Sequence, residues 1–260
     1  MPFFQQNGIR YYTFDIFPDN VVQAVFTRQG GVSPAPWASL NVGGGVGDDL
    51  QNVRTNRIRS FQAVGRPVES VHDVWQVHSA EVVFADQPRP MNSEYRKADI
   101  LLTHNPAVTL FMRFADCTPI LLYDPHKRAV GIVHAGWLGT VRRAAFVAVQ
   151  AMQERYGSRP QDLLAAIGPS IGPDHYEVGA DVVARVKDTF GEQADDLLEA
   201  HGERLHFNLW KANRVLLERT GVRQIEVAAL CTACHLQDWY SHRGEKGRTG
   251  RFGALIGLQD

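Results

Sequence analysis

Short apolar runs crowd into the first half of this 260-residue chain, and runs with helical periodicity fall mostly in the second. Strands are expected at 21–27, 74–77, 81–85, 100–103, 108–114, 120–123 and 130–134, with three more at 164–167, 225–230 and 252–256. The clearest helical face lies in 140–156, built by Val141, Ala144, Ala145, Ala148, Val149 and Met152. Further helices fit 48–64, 180–190 and 208–220. In the last of these, Asn208 is placed to cap the start and Gly221 to end it. A doubly wound parallel sheet needs strict alternation of strand and helix, which this order lacks. The pattern points to one α/β (α+β mixed) domain over 1–260, with mixed, largely antiparallel sheets.

Charge narrows the choice of partners. Lys+Arg is 27 against Asp+Glu 28, so no basic field exists to hold nucleic acid. Arginine supplies most of the positive charge, and its fork suits phosphate or carboxylate. Three cysteines, Cys117, Cys231 and Cys234, are too few and odd in number for a secreted disulfide framework. The first residues show no basic stretch followed by an apolar core, and no apolar run approaches the ~20 residues of a membrane span. A cytoplasmic, soluble chain is expected. A monomer is expected too, because no coiled-coil pattern or apolar partner helix stands out.

Two motifs invite chemistry and support little of it. Gly43-Gly44-Gly45-Val46-Gly47-Asp48 lacks the glycine spacing of a dinucleotide loop and the lysine of a Walker loop, and reads as a glycine-rich turn. Cys231-Thr232-Ala233-Cys234-His235 spells a haem-attachment pattern in a chain with no export signal. A zinc knuckle would need a second cysteine pair, which the sequence lacks. A redox pair stays open, and thiols packed at a strand end are the plainer reading.

The richest constellation is dispersed. Gln76-Val77-His78, Ala115-Asp116-Cys117 and Val133-His134-Ala135 each place a soft ligand where an apolar run stops. If those ends meet at one sheet edge, His78, Cys117 and His134 can bind zinc or copper, with a fourth position open for water or substrate. Histidine and cysteine hydrogen-bonded in a core would leave the same pattern. Cys117 can instead be a nucleophile with a histidine as base. Asp116, beside it, is a candidate to donate a proton or orient a ligand. Arg28, Arg243, Arg248 and Arg251 lie in glycine-rich loops that suit an anion, or are simply solvated.

Nine ordered stretches resemble the laccase-domain (YfiH-type) family, labelled in bacteria as multicopper polyphenol oxidase, purine nucleoside phosphorylase or peptidoglycan editing factor. They are FTRQGGVS (26–33), SLNVG (39–43), VRTNR (53–57), QVHSAEVV (76–83), ADCTPILLYD (115–124), VGIVHAGWLGT (130–140), AAIGPSIGPDHYEVG (165–179), LCTACH (230–235) and SHRGEKGRTGRFGALIGL (241–258). The resemblance implies a single-domain four-layer α/β/β/α sandwich with mixed sheets. It puts the family's metal triad on His78, Cys117 and His134. One departure is Asp174-His175, where many relatives carry cysteines, so any role of those cysteines does not transfer.

The resemblance also implies a zinc-dependent enzyme, with copper as a substitute metal. Its expected reactions are phosphorolysis of adenosine, inosine, guanosine and methylthioadenosine, and deamination of adenosine. Arg28, Arg243 and Arg251 are candidates for phosphate, and Asn41 and Gln76 for ribose or base. Alternatives are an amidase editing a muropeptide precursor, a copper-dependent polyphenol oxidase and a non-enzymatic zinc-stabilised binding module. Multicopper oxidases share paired H-x-H motifs, and this chain has none.

Overall fold

The computed structural model describes residues 3–90 and 93–259. One six-stranded sheet runs in the order β1 (Phe3–Gln6), β2 (Ile9–Tyr12), β3 (Val21–Phe26), β14 (Phe252–Leu258), β7 (Thr109–Phe114), β4 (Val71–His72). A second runs β13 (Gln224–Val227), β10 (Leu164–Ile167), β8 (Thr118–Asp124), β9 (Ala129–Ala135), β6 (Ile100–Thr103), β5 (Val82–Phe84). A small hairpin joins β11 (Leu198–His201) to β12 (Arg204–Phe207). Pairing is antiparallel within both large sheets except for β4 with β7, β5 with β6 and β10 with β13. This is the mixed, mostly antiparallel system expected.

Side-chain alternation builds the layers. In β14, Phe252, Ala254, Ile256 and Leu258 enter the core between the sheets, while Leu255 points the other way. In β8, Leu121 and Tyr123 face that same core, and Ile120 and Leu122 face the far side. In β9, Val130 and Ile132 are set against Ala129, Val133 and Ala135 in the same manner. Strands buried on both faces read as unbroken apolar runs, which is why they stand out in the sequence. Helix α1 (Leu50–Ala63) covers the outer face of the first sheet through Phe61 and Ala63. Helices α3 (Ala144–Tyr156), α4 (Ala180–Phe190) and α5 (Leu209–Thr220) cover the second. The order helix, sheet, sheet, helix is the four-layer sandwich that the resemblance implies. Each large apolar side chain buried there contributes roughly 1.5–3 kcal/mol.

Several local expectations need correction. Residues 74–77 form no strand: the strand lies earlier, at β4, and Trp75 makes only an isolated bridge to Lys97. The helix expected over 140–156 is two helices, α2 (Trp137–Val141) and α3, separated where Arg143 adopts a left-handed φ of 61°. The strand expected at 225–230 stops at Val227. The α5 ends match their expected caps: Asn208 accepts from the Lys211 N–H, and Gly221 is left-handed. The β1–β2 and β11–β12 hairpins have no counterpart in the expectations.

Candidate metal centre and its cavity

Cys117 lies in the turn that carries the chain from β7 in one sheet to β8 in the other. His134 is the penultimate residue of β9, in register with Pro119 of β8, so it stands beside that turn. His78 comes from an irregular segment rather than a strand end, with φ 58°. One ligand atom from each of the three lies within 4.8 Å of the others. Cys117 Sγ is 3.8 Å from His78 Nε2. A tetrahedral ion with ordinary zinc bond lengths would hold sulfur and nitrogen about 3.6 Å apart, so the donor set fits one metal.

Asp99, fully buried, organises this set and escapes a motif search. Its carboxylate accepts from the backbone N–H groups of Val77, His78 and Ser79 and from Ser79 Oγ. It also sits 2.8 Å from His134 Nδ1, which leaves His134 Nε2 for a metal. One carboxylate thereby fixes the left-handed turn under His78 and the ring orientation of His134. Gly136 completes the cradle: a Cβ there would lie 2.7 Å from Cys117 Sγ.

The charges interlock. Burial opposes ionisation of Cys117, but the adjacent His134 and then His78 outweigh it and lower its pKa to about 6. Burial also opposes charge on His134, yet the Cys117 thiolate and Asp99 raise its pKa to about 9. Asp99 is held at about 2, because the His134 and Ser79 hydrogen bonds outweigh its burial.

The triad opens on a cavity of about 550 Å³. Gln76, Arg113, Asp116, Arg243 and Arg251 line it, together with Trp75, Trp137, Tyr176 and His242. Gly43, Gly44 and Gly45 also line it, so the glycine-rich turn borders the site. Asp116 accepts from Thr232 Oγ1, Ser241 Oγ and the Arg243 N–H. All three contacts use its oxygens as acceptors. They make it an anchor for two loops, and the proton-donor role expected for it would require one of them to break.

Arg251 Nη1 donates to Thr249 O and Gly250 O, and the rest of its fork has no protein partner among the described residues. Burial lowers its pKa. Arg243 donates to His175 O and Glu177 O and lies over Tyr176. Gln76 spends both ends of its amide on Arg113.

Two expected ligand contacts lie elsewhere. Arg28 does not line the cavity: it donates to Ala38 O, Leu236 O and Glu245, and packs over Tyr240. Its charge is consumed inside the fold. Asn41, fully buried, donates to Gly43 O and Asp48 and accepts from Gly43 and Arg251 N–H. It shapes the glycine turn and positions Arg251. The sequence reading missed Arg113, whose fork meets Gln76 and Val74 O and lies 3.8 Å from Asp73. It also missed the aromatic lining, which no short motif announces.

Fold and site together define a class: a four-layer mixed sandwich with one two-histidine, one-cysteine donor set at the edge of an arginine-lined cavity. The chain belongs to the multi-copper polyphenol oxidoreductase laccase family, whose model matches residues 22–259. That family implies metal binding. A purine nucleoside phosphorylase of Deinococcus radiodurans is 41% identical over 239 residues, covering 92% of this chain and 89% of the relative. Purine nucleoside phosphorylase YlmD of Bacillus subtilis is 33% identical, with the same coverage. The crystal structure of YlmD from Geobacillus stearothermophilus matches with TM-score 0.92 and 33% identity, covering 100% of this chain and 99% of that one. No helix among the described residues is long and apolar enough to cross a membrane.

Proposed function

We propose that this chain is a zinc-dependent purine nucleoside phosphorylase acting on adenosine, inosine, guanosine and methylthioadenosine. The observation that carries the reading is the convergence of Arg251 and Arg243 on the same cavity as the His78–Cys117–His134 set. The names of the relatives support it. A phosphate oxygen bonds to ribose C1′ as the bond from C1′ to the purine nitrogen breaks, and the base leaves with that electron pair and gains a proton. The open part of the Arg251 fork grips the phosphate dianion, and Arg243 adds a second positive charge. Burial of Arg251 strengthens that attraction by excluding water. Trp75, 53% exposed, and Trp137 offer aromatic faces to a purine. Burial, and next the Cys117 charge, raise the pKa of Tyr176, so its hydroxyl stays protonated and can donate to the purine.

His78, Cys117 and His134 would hold the metal, which when bound would supply Lewis acidity at the cavity. Asp99 holds His134 for that role, and Gly136 leaves room for the Cys117 sulfur. A second reaction, deamination of adenosine, in which a water oxygen bonds to purine C6 as the C6–N bond breaks and ammonia leaves, is favoured by three protein donors facing the cavity, a number that suits a catalytic rather than a structural metal. The chain has no H-x-H pair, and its cavity carries one N₂S set, so single-metal chemistry is proposed rather than an oxidase relay.

Steady-state kinetics with varied phosphate test the assignment. Arg251→Ala should raise KM for phosphate at least tenfold, and Arg28→Ala should leave it unchanged. Equal effects of the two substitutions would remove Arg251 from the phosphate site.

A further inference from the structure

Cys231 and Cys234 do not stand alone in the fold. The loop after β13 brings them against the loop after β10, where Asp174 and His175 lie. One ligand atom from each of the four residues lies within 4.8 Å of the others. His175 Nδ1 is 3.9 Å from Cys231 Sγ, 3.5 Å from Cys234 Sγ and 3.2 Å from Asp174 Oδ2. Cys234 Sγ is 3.5 Å from Asp174 Oδ2. A tetrahedral zinc ion would hold sulfur and nitrogen about 3.6 Å apart, sulfur and oxygen about 3.6 Å, and nitrogen and oxygen about 3.4 Å. The three separations from His175 and the one between Cys234 and Asp174 stand within about 0.3 Å of those values, and every donor lies within 4.8 Å of the others.

The surroundings favour the same reading. The Gly172 N–H points at Cys231 Sγ across 3.2 Å, a donor that stabilises negative charge on sulfur. Gly172 leaves room for the ligands: a Cβ there would lie 2.7 Å from Asp174 Oδ1 and 3.0 Å from the Cys231 Cβ and would push against both. As metal ligands the two cysteines bind as thiolates, and with the Asp174 carboxylate they supply the negative charge that a divalent cation neutralises. Soft sulfur with nitrogen and one oxygen selects zinc over magnesium or calcium.

We propose that Asp174, His175, Cys231 and Cys234 form a second, structural zinc site. Four protein ligands fill the coordination sphere, unlike the three of the cavity set. The site clips together two loops that wall the cavity. Thr232, between the cysteines, donates to Asp116, the neighbour of Cys117. Tyr176, next to His175, lines the cavity, and Arg243 donates to His175 O. The clip thereby sets the positions of Asp116, Tyr176 and Arg243. The second donor pair that the C-x-x-C motif lacks in sequence is supplied in space by an aspartate and a histidine.

The test removes the cavity set first. His78→Ala/Cys117→Ser protein, prepared with reductant, is stripped with chelator, loaded with Zn²⁺, desalted and assayed for metal. Retention of about one zinc ion per chain is expected, falling to about zero when Cys234→Ser is added. Cys234 is exposed, so that change should not unfold the chain. Cys234→His should restore binding. With Co²⁺ in place of zinc, its thiolate-to-cobalt band should fall to about half that of the two-cysteine site. No retained zinc in the His78→Ala/Cys117→Ser protein would overturn the proposal, as would zinc indifferent to Cys234→Ser. If the same protein purified without reductant shows no free thiols on denaturation, while the reduced protein retains no zinc, the proposal is overturned in favour of a Cys231–Cys234 disulfide.

Discussion

Replacing Asp99 by asparagine should do the most damage per atom changed. The carboxylate is fully buried and takes hydrogen bonds from three backbone N–H groups, Ser79 Oγ and His134. Its pKa falls from 3.8 to about 2, a gap worth about 2 kcal/mol of folding stability at neutral pH. Asparagine keeps one acceptor oxygen and turns an NH₂ group toward donors. At least one buried donor then loses its partner, which costs a further ~1–3 kcal/mol. The sum of roughly 3–5 kcal/mol should lower Tm by roughly 6–20 °C in a chain of this size. The same change frees the His134 ring and the turn under His78, so zinc affinity at the triad should drop by roughly 10–100-fold. Thermal unfolding followed by circular dichroism reads the first effect, and competition with a chromophoric chelator reads the second. The sign with pH also follows. Because the folded pKa is depressed, this stabilisation is full above about 4 and disappears as pH falls through about 2. An Asp99→Asn protein with wild-type Tm and wild-type zinc affinity would refute the organising role given to this carboxylate.

Three further outcomes are expected. Gly136→Ala, whose backbone at φ −76° and ψ −175° accommodates alanine, should still fold yet lose roughly tenfold or more in zinc affinity, because its Cβ meets the Cys117 sulfur; equilibrium metal competition measures this. In metal-free protein, the ultraviolet thiolate absorbance of Cys117 should rise with a midpoint near pH 6, and a midpoint near 9 would show that His134 does not hold the charge. Arg28→Ala should cost roughly 1–3 kcal/mol of stability in urea unfolding, since it removes the partner of Glu245 Oε1 and the donor to Ala38 O and Leu236 O, while kcat stays near wild type.

How much of this was legible in the chain depends on the distance over which the signal is written. Doubly buried strands such as β8 and β9 announce themselves as apolar runs, and α5 announces its ends through Asn208 and Gly221. The break at Arg143 carries no glycine or proline, so periodicity alone runs straight through it. His78, Cys117 and His134 drew notice because soft ligands beside apolar runs are conspicuous, although His78 proved to stand on a loop rather than a strand end. Asp99 gave no such signal: one acidic residue before a strand is unremarkable until the fold wraps five donors around it. Arg28 shows the opposite failure. An arginine in a glycine-rich loop suits an anion, but Glu245, more than two hundred residues away, takes its charge. The Cys231–Cys234 pair looked incomplete because its complement, Asp174-His175, lies far off in sequence and is of different residue types.

The central assignment is best tested by product analysis. Zinc-loaded protein is incubated with adenosine, with and without phosphate, beside Cys117→Ser protein, and the products are resolved by chromatography. Phosphate-dependent release of adenine and ribose-1-phosphate, lost in Cys117→Ser, is the predicted result, with phosphate-independent inosine marking the deaminase reaction at the same centre. No turnover of adenosine in either condition would contradict the nucleoside assignment and favour cleavage of an amide in a muropeptide precursor.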